Sequence, residues 1–135
     1  MKYINKKLTI EKVSIQNIAK KYGTPAYCYS VLQIKDNFEQ LRKSFKKINP
    51  LICYAVKANF NHNIINTLSK LGAGADVVSK GELKQSINNG VRANKIVFSG
   101  VGKTIDELEF AIFKNIKQIN VESEEELNDI EEICK

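Results

Sequence analysis

Apolar and polar positions along the chain follow two periods, one typical of buried strands and one typical of amphipathic helices. Ser30 is placed to cap a helix whose apolar residues recur on one side, and Pro50 ends that helix. The segment "LICYAVKA" (51–58) comes next and has almost no polar alternation, which is typical of a strand buried on both faces in a parallel sheet. Before the helix, the aromatic-rich "TPAYCYS" (24–30) is predicted to be a strand as well.

The unit of one strand and one helix repeats three more times toward the C-terminus. The later strands are predicted at 75–79, 95–100 and 116–123, and the helices after the four strands at 62–71, 80–90, 104–115 and 123–135. Two of these helices begin with capping-box spacing, Thr104 with Glu107 and Ser123 with Glu126. The alternation indicates parallel βα units, which build either half of an eight-stranded barrel or a small open sheet. The last helix stops without a C-cap, so we expect the sequence to be cut and not finished.

Length and composition are those of one globular domain. The 135 residues are 43% hydrophobic and 27% charged, and we expect neither a transmembrane helix nor a secretory signal, with a cytoplasmic location. The net charge of +6 comes from scattered lysines and two arginines, without basic and aromatic clusters, so no nucleic-acid partner is expected. Cys28, Cys53 and Cys134 lack metal-ligand spacing, so neither a metal site nor a disulfide framework is expected.

Two glycine-containing segments and one histidine are candidate sites that their surroundings do not support. "FSGVGKT" (98–104) is similar to a phosphate-binding loop, but Val97 stands where that pattern requires its first glycine. We interpret it as a strand-to-helix turn, with an anion site at the helix N-terminus as the alternative. "GAGAD" (72–76) precedes a strand and lacks the third glycine of a dinucleotide fingerprint. His62 is the single histidine and is interpreted as a capping or exposed residue.

Lys57 is the most informative candidate, because it ends an apolar strand in which a charged side chain is costly to bury. One interpretation is a lysine that extends from the strand end into solvent. The other is a desolvated amine that attacks a carbonyl and forms a Schiff base, with room for a planar ring beside the small Ala55 and Ala58. Asp76 lies at the start of the next strand and is either a turn residue or a neighbour of Lys57 where the strand ends meet.

Five segments together resemble the diaminopimelate decarboxylases, which belong to the alanine-racemase-like, fold type III enzymes that use pyridoxal phosphate. They are "YGTPAYCYS", "CYAVKAN", "GAGADVVSKGEL", "IVFSGVGKT" and "INVESEEEL", and the resemblance covers residues 22–135. It implies an α/β fold in which residues 24–135 form the N-terminal half of a (β/α)8 TIM-type barrel, roughly its first four βα units. It also implies that residues 1–23 pack on a C-terminal β-domain that this sequence lacks.

The resemblance implies a cofactor site as well. Lys57 matches the lysine that holds pyridoxal 5'-phosphate as a Schiff base at the end of the first barrel strand, and it is expected to be buried against the cofactor. Ala55 is expected to lie against the ring, and Asp76 matches an acidic residue on the second strand that orients or tunes the amine. Lys80 replaces a glycine that is more usual in the family, which changes little at a helix start.

The implied activity is that of diaminopimelate decarboxylase, which converts meso-diaminopimelate to L-lysine and carbon dioxide in lysine biosynthesis. The family's segments for the cofactor phosphate, the pyridine nitrogen and the substrate have no match here. We therefore expect this chain alone to be inactive or nearly so, and to need the missing half of a homodimeric enzyme. Three alternatives stay open: a non-catalytic remnant of a broken gene, one half of a split enzyme, and part of a related ornithine or arginine decarboxylase.

Overall fold

The computed structural model describes residues 1–45 and 47–135, which contain two sheets. The smaller sheet is antiparallel and consists of β1 (Lys2–Ile4), β2 (Lys7–Ile10) and β3 (Val13–Ser14). Both connections are two-residue turns with positive φ at each residue, the geometry that matches the twist of a hairpin. Helix α1 (Ile15–Tyr22) follows at once and contacts β2 and β3. The sequence pattern had indicated none of these short elements.

The larger sheet is parallel, and its strand order follows the chain. Its strands are β4 (Cys53–Ala55), β5 (Gly74–Val77), β6 (Ile96–Phe98) and β7 (Gln118–Ile119). Helix α2 (Val31–Ser44) precedes the sheet, and one helix follows each strand: α3 (His62–Lys70), α4 (Lys80–Asn88), α5 (Ile105–Phe113) and α6 (Glu124–Ile133). The predicted α/β fold with parallel strands is confirmed. Within the described residues, β4 and β7 are the two outer strands of this sheet.

One face of the parallel sheet packs against the helices. Ala75 and Val77 of β5 are fully buried, and they join apolar residues from β6, α3, α4 and α5 in one cluster. Successive side chains of a strand point to opposite faces. Asp76, between Ala75 and Val77, therefore faces away from the helices and is only half-buried. Polar side chains of the strands can therefore lie on the face of the sheet opposite the helices.

Gly74 allows β5 to lie close to its surroundings. A Cβ atom at this position would collide with the backbone carbonyl of Lys95 and with the Cys53 thiol. Its backbone N–H also donates to the Ile52 carbonyl at 2.9 Å, which brings the start of β5 against the segment before β4. No residue with a side chain fits at the first position of this strand.

Helix caps follow the sequence prediction at two helix starts and depart from it in part at a third. The Ser30 hydroxyl accepts from Gln33 N–H, and Thr104 forms the complete predicted capping box with Glu107. At α6, the Ser123 hydroxyl accepts from Glu126 N–H, but the reciprocal half of the predicted box is missing. The Glu126 carboxylate binds a buried lysine instead, so the prediction of a second capping box was wrong.

Two predicted strands differ from the structure. Residues 24–29 are exposed, and 24–30 form no strand, because this segment has no partner strand among the described residues. The strand predicted at 51–58 is shortened to β4, whose three residues are half-buried instead of buried on both faces. It is an outer strand, and the chain leaves the sheet after Ala55 in a 3-10 turn over Val56–Ala58.

We expect Glu107→Gln to lower the free energy of unfolding at neutral pH by about 0.5–1 kcal/mol. Hydrogen bonds from Lys80 N–H, and then from Thr104, hold the pKa of the Glu107 carboxyl below its ordinary 4.5. A lowered pKa in the folded state contributes stability that is complete above pH 4.5 and is lost as the pH falls through the folded value. Urea denaturation over a pH series should therefore show the wild type and the variant converging in acid.

The matched control for this measurement is Glu109→Gln, an exposed carboxylate on the same helix. Its unfolding free energy should follow that of the wild type across the pH series. A difference between wild type and Glu107→Gln that stays constant in acid would contradict the assigned role of the charge.

Candidate functional site

Polar side chains gather where the parallel strands end. Asp76 lies within β5, Ser99 directly follows β6, and Asn120 directly follows β7. Lys57 comes two residues after the end of β4. Because the four strands are parallel, their carboxyl ends lie along one edge of the sheet, where active sites of α/β folds are found. The structure thus places the two predicted catalytic residues, Lys57 and Asp76, at the same edge.

The position of Lys57 is set by its neighbours on both sides. Val56 is completely buried in the core cluster, and the Tyr54 hydroxyl donates to the Asn59 carbonyl at 3.0 Å across the turn. Lys57 is exposed, in agreement with the interpretation of a lysine that extends from the strand end into solvent, and its expected burial against the cofactor stays a prediction. The reason is the 3-10 turn, which carries the side chain beyond the last residue of β4. The Lys57 amine is accessible to a small molecule.

Ala55 is the predicted residue in direct register with Asp76. The two face each other across β4 and β5, and both are half-buried. Ala58 is exposed on the far side of Lys57. Neither Ala55 nor Ala58 has a side chain beyond Cβ.

Ser99 holds Asp76 and Asn120 holds Ser99, and the sequence analysis missed both of these residues. The Ser99 hydroxyl donates to Asp76 Oδ1 at 2.6 Å, and the Asn120 amide donates to Ser99 Oγ at 3.0 Å. Gln118 donates in turn to Asn120 Oδ1 at 2.6 Å. We call Asp76, Ser99 and Asn120 the polar row. Strand alternation was the signal that could have found it, because Ser99 lies two residues after Val97, the register partner of Asp76.

The Cys53 thiol is affected by the charge of Asp76 on the neighbouring strand. Its thiol is half-buried, with Sγ 3.8 Å from the Lys95 carbonyl oxygen. Burial raises the pKa of the Cys53 thiol, and the negative charge of Asp76 raises it further. Asp76 therefore acts on Cys53 through space from the neighbouring strand.

Lys103, in the segment similar to a phosphate loop, is buried and fully paired. Its Nζ donates to the carbonyls of Gly100 and Asn120 and to Glu126 Oε1, each at 2.7 Å. An ammonium has three protons to donate, so these contacts use its full capacity. Glu107 caps the helix that follows. The structure therefore favours the turn interpretation of 98–104 over the anion site.

His62 agrees with its simpler interpretation as an exposed residue. His62 is the exposed first residue of α3, which is capped by Asn61. Within residues 1–45 and 47–135, no group of three or more potential metal ligands exists. No described helix has both the length and the apolar content to cross a membrane.

A family model described as "Pyridoxal-dependent decarboxylase, pyridoxal binding domain" matches residues 31–135. The chain belongs to the pyridoxal-dependent decarboxylase family. The match includes Lys57, Asp76 and the rest of the polar row. The family membership inferred from the five sequence segments is thus confirmed, together with the dependence of the family on pyridoxal phosphate.

The chain spans about a third of the length of the relatives that it matches. It is 47% identical to the diaminopimelate decarboxylase of Aquifex aeolicus (strain VF5), over 99% of this chain and 31% of that protein. It is similar to the structure of diaminopimelate decarboxylase from M. jannaschii in complex with L-lysine, with a TM-score of 0.92 and 40% identity over 95% of this chain and 31% of that one. The Paramecium bursaria Chlorella virus arginine decarboxylase is similar at a TM-score of 0.78 and 28% identity, over 89% of this chain and 33% of that one.

Asp76→Asn is expected to lower the pKa of the Cys53 thiol, because it removes a negative charge that opposes the thiolate. The thiol pKa should stay above its ordinary value, since burial persists. The measurement is the pH dependence of alkylation of Cys53 in a chain whose exposed Cys28 and Cys134 are replaced by Ser. The control is Asp106→Asn, an exposed carboxylate on α5, which should leave the profile unchanged. Identical profiles for wild type and Asp76→Asn would show that the two groups do not interact.

Lys103→Met is expected to lower the free energy of unfolding by about 3–5 kcal/mol, because it leaves the Glu126 carboxylate buried without its partner. The double variant Lys103→Met with Glu126→Leu should recover much of that loss, since no unpaired charge remains. Urea denaturation measures both. Arg42→Ala, which breaks the exposed pair with Glu39, should cost less than about 1 kcal/mol. A Lys103→Met loss as small as that of Arg42→Ala would contradict the buried pairing.

Proposed function

We propose that this chain supplies the part of the cofactor site that contains Lys57 in a diaminopimelate decarboxylase. That enzyme forms L-lysine and carbon dioxide from meso-diaminopimelate. The observation that carries the proposal is the accessible Lys57, which follows the carboxyl end of β4 two residues after Ala55, the register partner of Asp76, inside the pyridoxal-binding domain of the family. The higher identity to diaminopimelate decarboxylases than to the arginine decarboxylase favours this substrate. The chain spans 31% of its Aquifex relative, so the complete reaction belongs to a longer assembly.

The residues at the strand ends fit pyridoxal phosphate. Lys57 would hold the cofactor covalently through its amine, and Ala55 and Ala58 leave space for the ring. When bound, pyridoxal phosphate supplies an electron sink for the electron pair left behind as carbon dioxide departs. Asp76 is an acceptor next to β4, where it can orient the Lys57 amine and hold a proton that moves to or from it. Its Oδ1 is occupied by Ser99, which fixes the side of the carboxylate that remains available.

The architecture of the longer assembly follows from the same arrangement. The four parallel strands with their helices correspond to the first four βα units of an eight-stranded barrel, with residues 24–135 as its N-terminal half. Residues 1–23 would pack on a separate β-domain. Support comes from the free outer edges of β4 and β7 within the described residues, and from the similarity to decarboxylase structures over most of this chain. Three unpaired cysteines suit a reducing compartment such as the cytoplasm.

Incubation of the chain with pyridoxal phosphate, reduction with borohydride and peptide mapping test the proposal directly. The label should concentrate on the peptide that contains Lys57 and should disappear in Lys57→Arg, which keeps the charge but lacks the amine nucleophile. Lys70→Arg, at an exposed lysine that ends α3, is the matched control and should keep the label. Label distributed over many lysines and unchanged in Lys57→Arg would contradict the proposal.

A further inference from the structure

We propose that Ser99 and Asn120 are positioning residues that fix the Asp76 carboxylate relative to Lys57, through a hydrogen-bond chain that crosses the ends of three parallel strands. This inference rests on the proposed function for the role of Asp76 and extends it to two residues that have no other assigned task. The contacts that carry it are Ser99 Oγ to Asp76 Oδ1 at 2.6 Å and Asn120 Nδ2 to Ser99 Oγ at 3.0 Å.

The donor groups determine the direction of the hydrogen bonds that join Asn120, Ser99 and Asp76. The Asn120 amide nitrogen can only donate, so Ser99 Oγ is its acceptor. A serine hydroxyl has one proton, and the acceptor nearest to it is Asp76 Oδ1. Asp76 is thus the end point of a sequence of donors and receives the bond as an acceptor. A carboxylate held in this way keeps one rotamer and presents its other oxygen, Oδ2, which makes no hydrogen bond within the described residues.

The sheet backbone places Ser99 and Asn120 at one level, two residues beyond the level of Asp76. Ser99 N–H donates to the Val77 carbonyl at 2.8 Å, and Asn120 N–H donates to the Phe98 carbonyl at 2.9 Å. The parallel ladder therefore continues one residue past β6 and one past β7. Ser99 and Asn120 are set by main-chain hydrogen bonds of the sheet and not by loop conformation, which makes the row rigid.

Lys103 secures the distal end of the row. Its ammonium binds the backbone carbonyl of Asn120 and that of Gly100, the residue after Ser99. The Glu126 carboxylate, which is also buried, holds the ammonium in place. The buried Lys103 ammonium therefore holds the backbone of Asn120 directly and that of Ser99 through the adjacent Gly100. Gly100 has φ +95°, a conformation that favours glycine, and this lets the chain turn back toward Lys103 directly after Ser99.

The polar row lies outside the apolar core. The apolar cluster is on the opposite face of the sheet, against the helices. Packing alone does not require an amide, a hydroxyl and a carboxylate that are joined by hydrogen bonds on the face of the sheet without helices. Asp76 is instead aligned with Ala55, two residues before Lys57, on the adjacent strand.

The test measures the χ1 rotamer of Asp76 in the isotope-labelled chain without cofactor, from three-bond couplings of its Cγ to backbone nitrogen and carbonyl carbon. Wild type should show one rotamer. Ser99→Ala and Asn120→Ala should show rotamer averaging, and Ser99→Thr, which keeps the hydroxyl, should restore a single rotamer. Ser86→Ala is the matched control, because it removes a buried hydroxyl that has no hydrogen-bond partner within the described residues and should leave Asp76 unchanged.

A second measurement connects the rotamer to Lys57. The rate at which pyridoxal phosphate and borohydride label Lys57 should fall several-fold in Ser99→Ala and return in Ser99→Thr. Fixed Asp76 couplings in Ser99→Ala overturn the inference, and so does an unchanged labelling rate when the couplings are averaged. If wild-type Lys57 is not labelled at all, the proposed function fails, while the couplings alone still decide whether Ser99 and Asn120 position Asp76.

Discussion

The in-register parallel pairing of β4, β5, β6 and β7 is the constraint on which the site depends. It aligns Ala55 with Asp76 and Asp76 with Val97. The carboxyl ends of the strands therefore lie along the same edge of the sheet. The burial of one face against the helices fixes that register, because a slip of one residue would expose the core and bury Asp76. The chemistry at the edge is therefore a consequence of the apolar face behind it.

Two lysines in this chain show how surroundings decide what an amine can do. Lys103 is buried, and all three of its protons are donated to protein acceptors. Lys57 is exposed after a tight turn that Val56 anchors in the core. A reagent or cofactor can reach only the second amine without breaking a hydrogen-bond network. Position in the fold, and not residue type, separates a structural cation from a nucleophile.

Sequence patterns predicted the repeated βα units because burial determines where apolar residues recur in strands and in helices. Lys57 and Asp76 could be located because each interrupts an apolar strand. The strand predicted at 24–30 was wrong because aromatic content favours a strand only where a partner is available. Ser99 and Asn120 were missed for a different reason: their pairing with Asp76 depends on register between strands that lie about twenty residues apart. Glu126 was misassigned because local spacing favoured a cap, while a tertiary partner at Lys103 bound its carboxylate instead.

Gly74 has a consequence for comparing related sequences. Its missing side chain makes room for the Lys95 carbonyl and the Cys53 thiol, neither of which belongs to the part of the site that contains Lys57. The same glycine in a distant homologue would therefore record the close packing of a strand against its neighbours. It would carry no information about cofactor or substrate. Variation at Gly74 would concern the packing of β5, whereas variation at Ser99, which directly follows the neighbouring strand β6, would concern the hydrogen bond to Asp76.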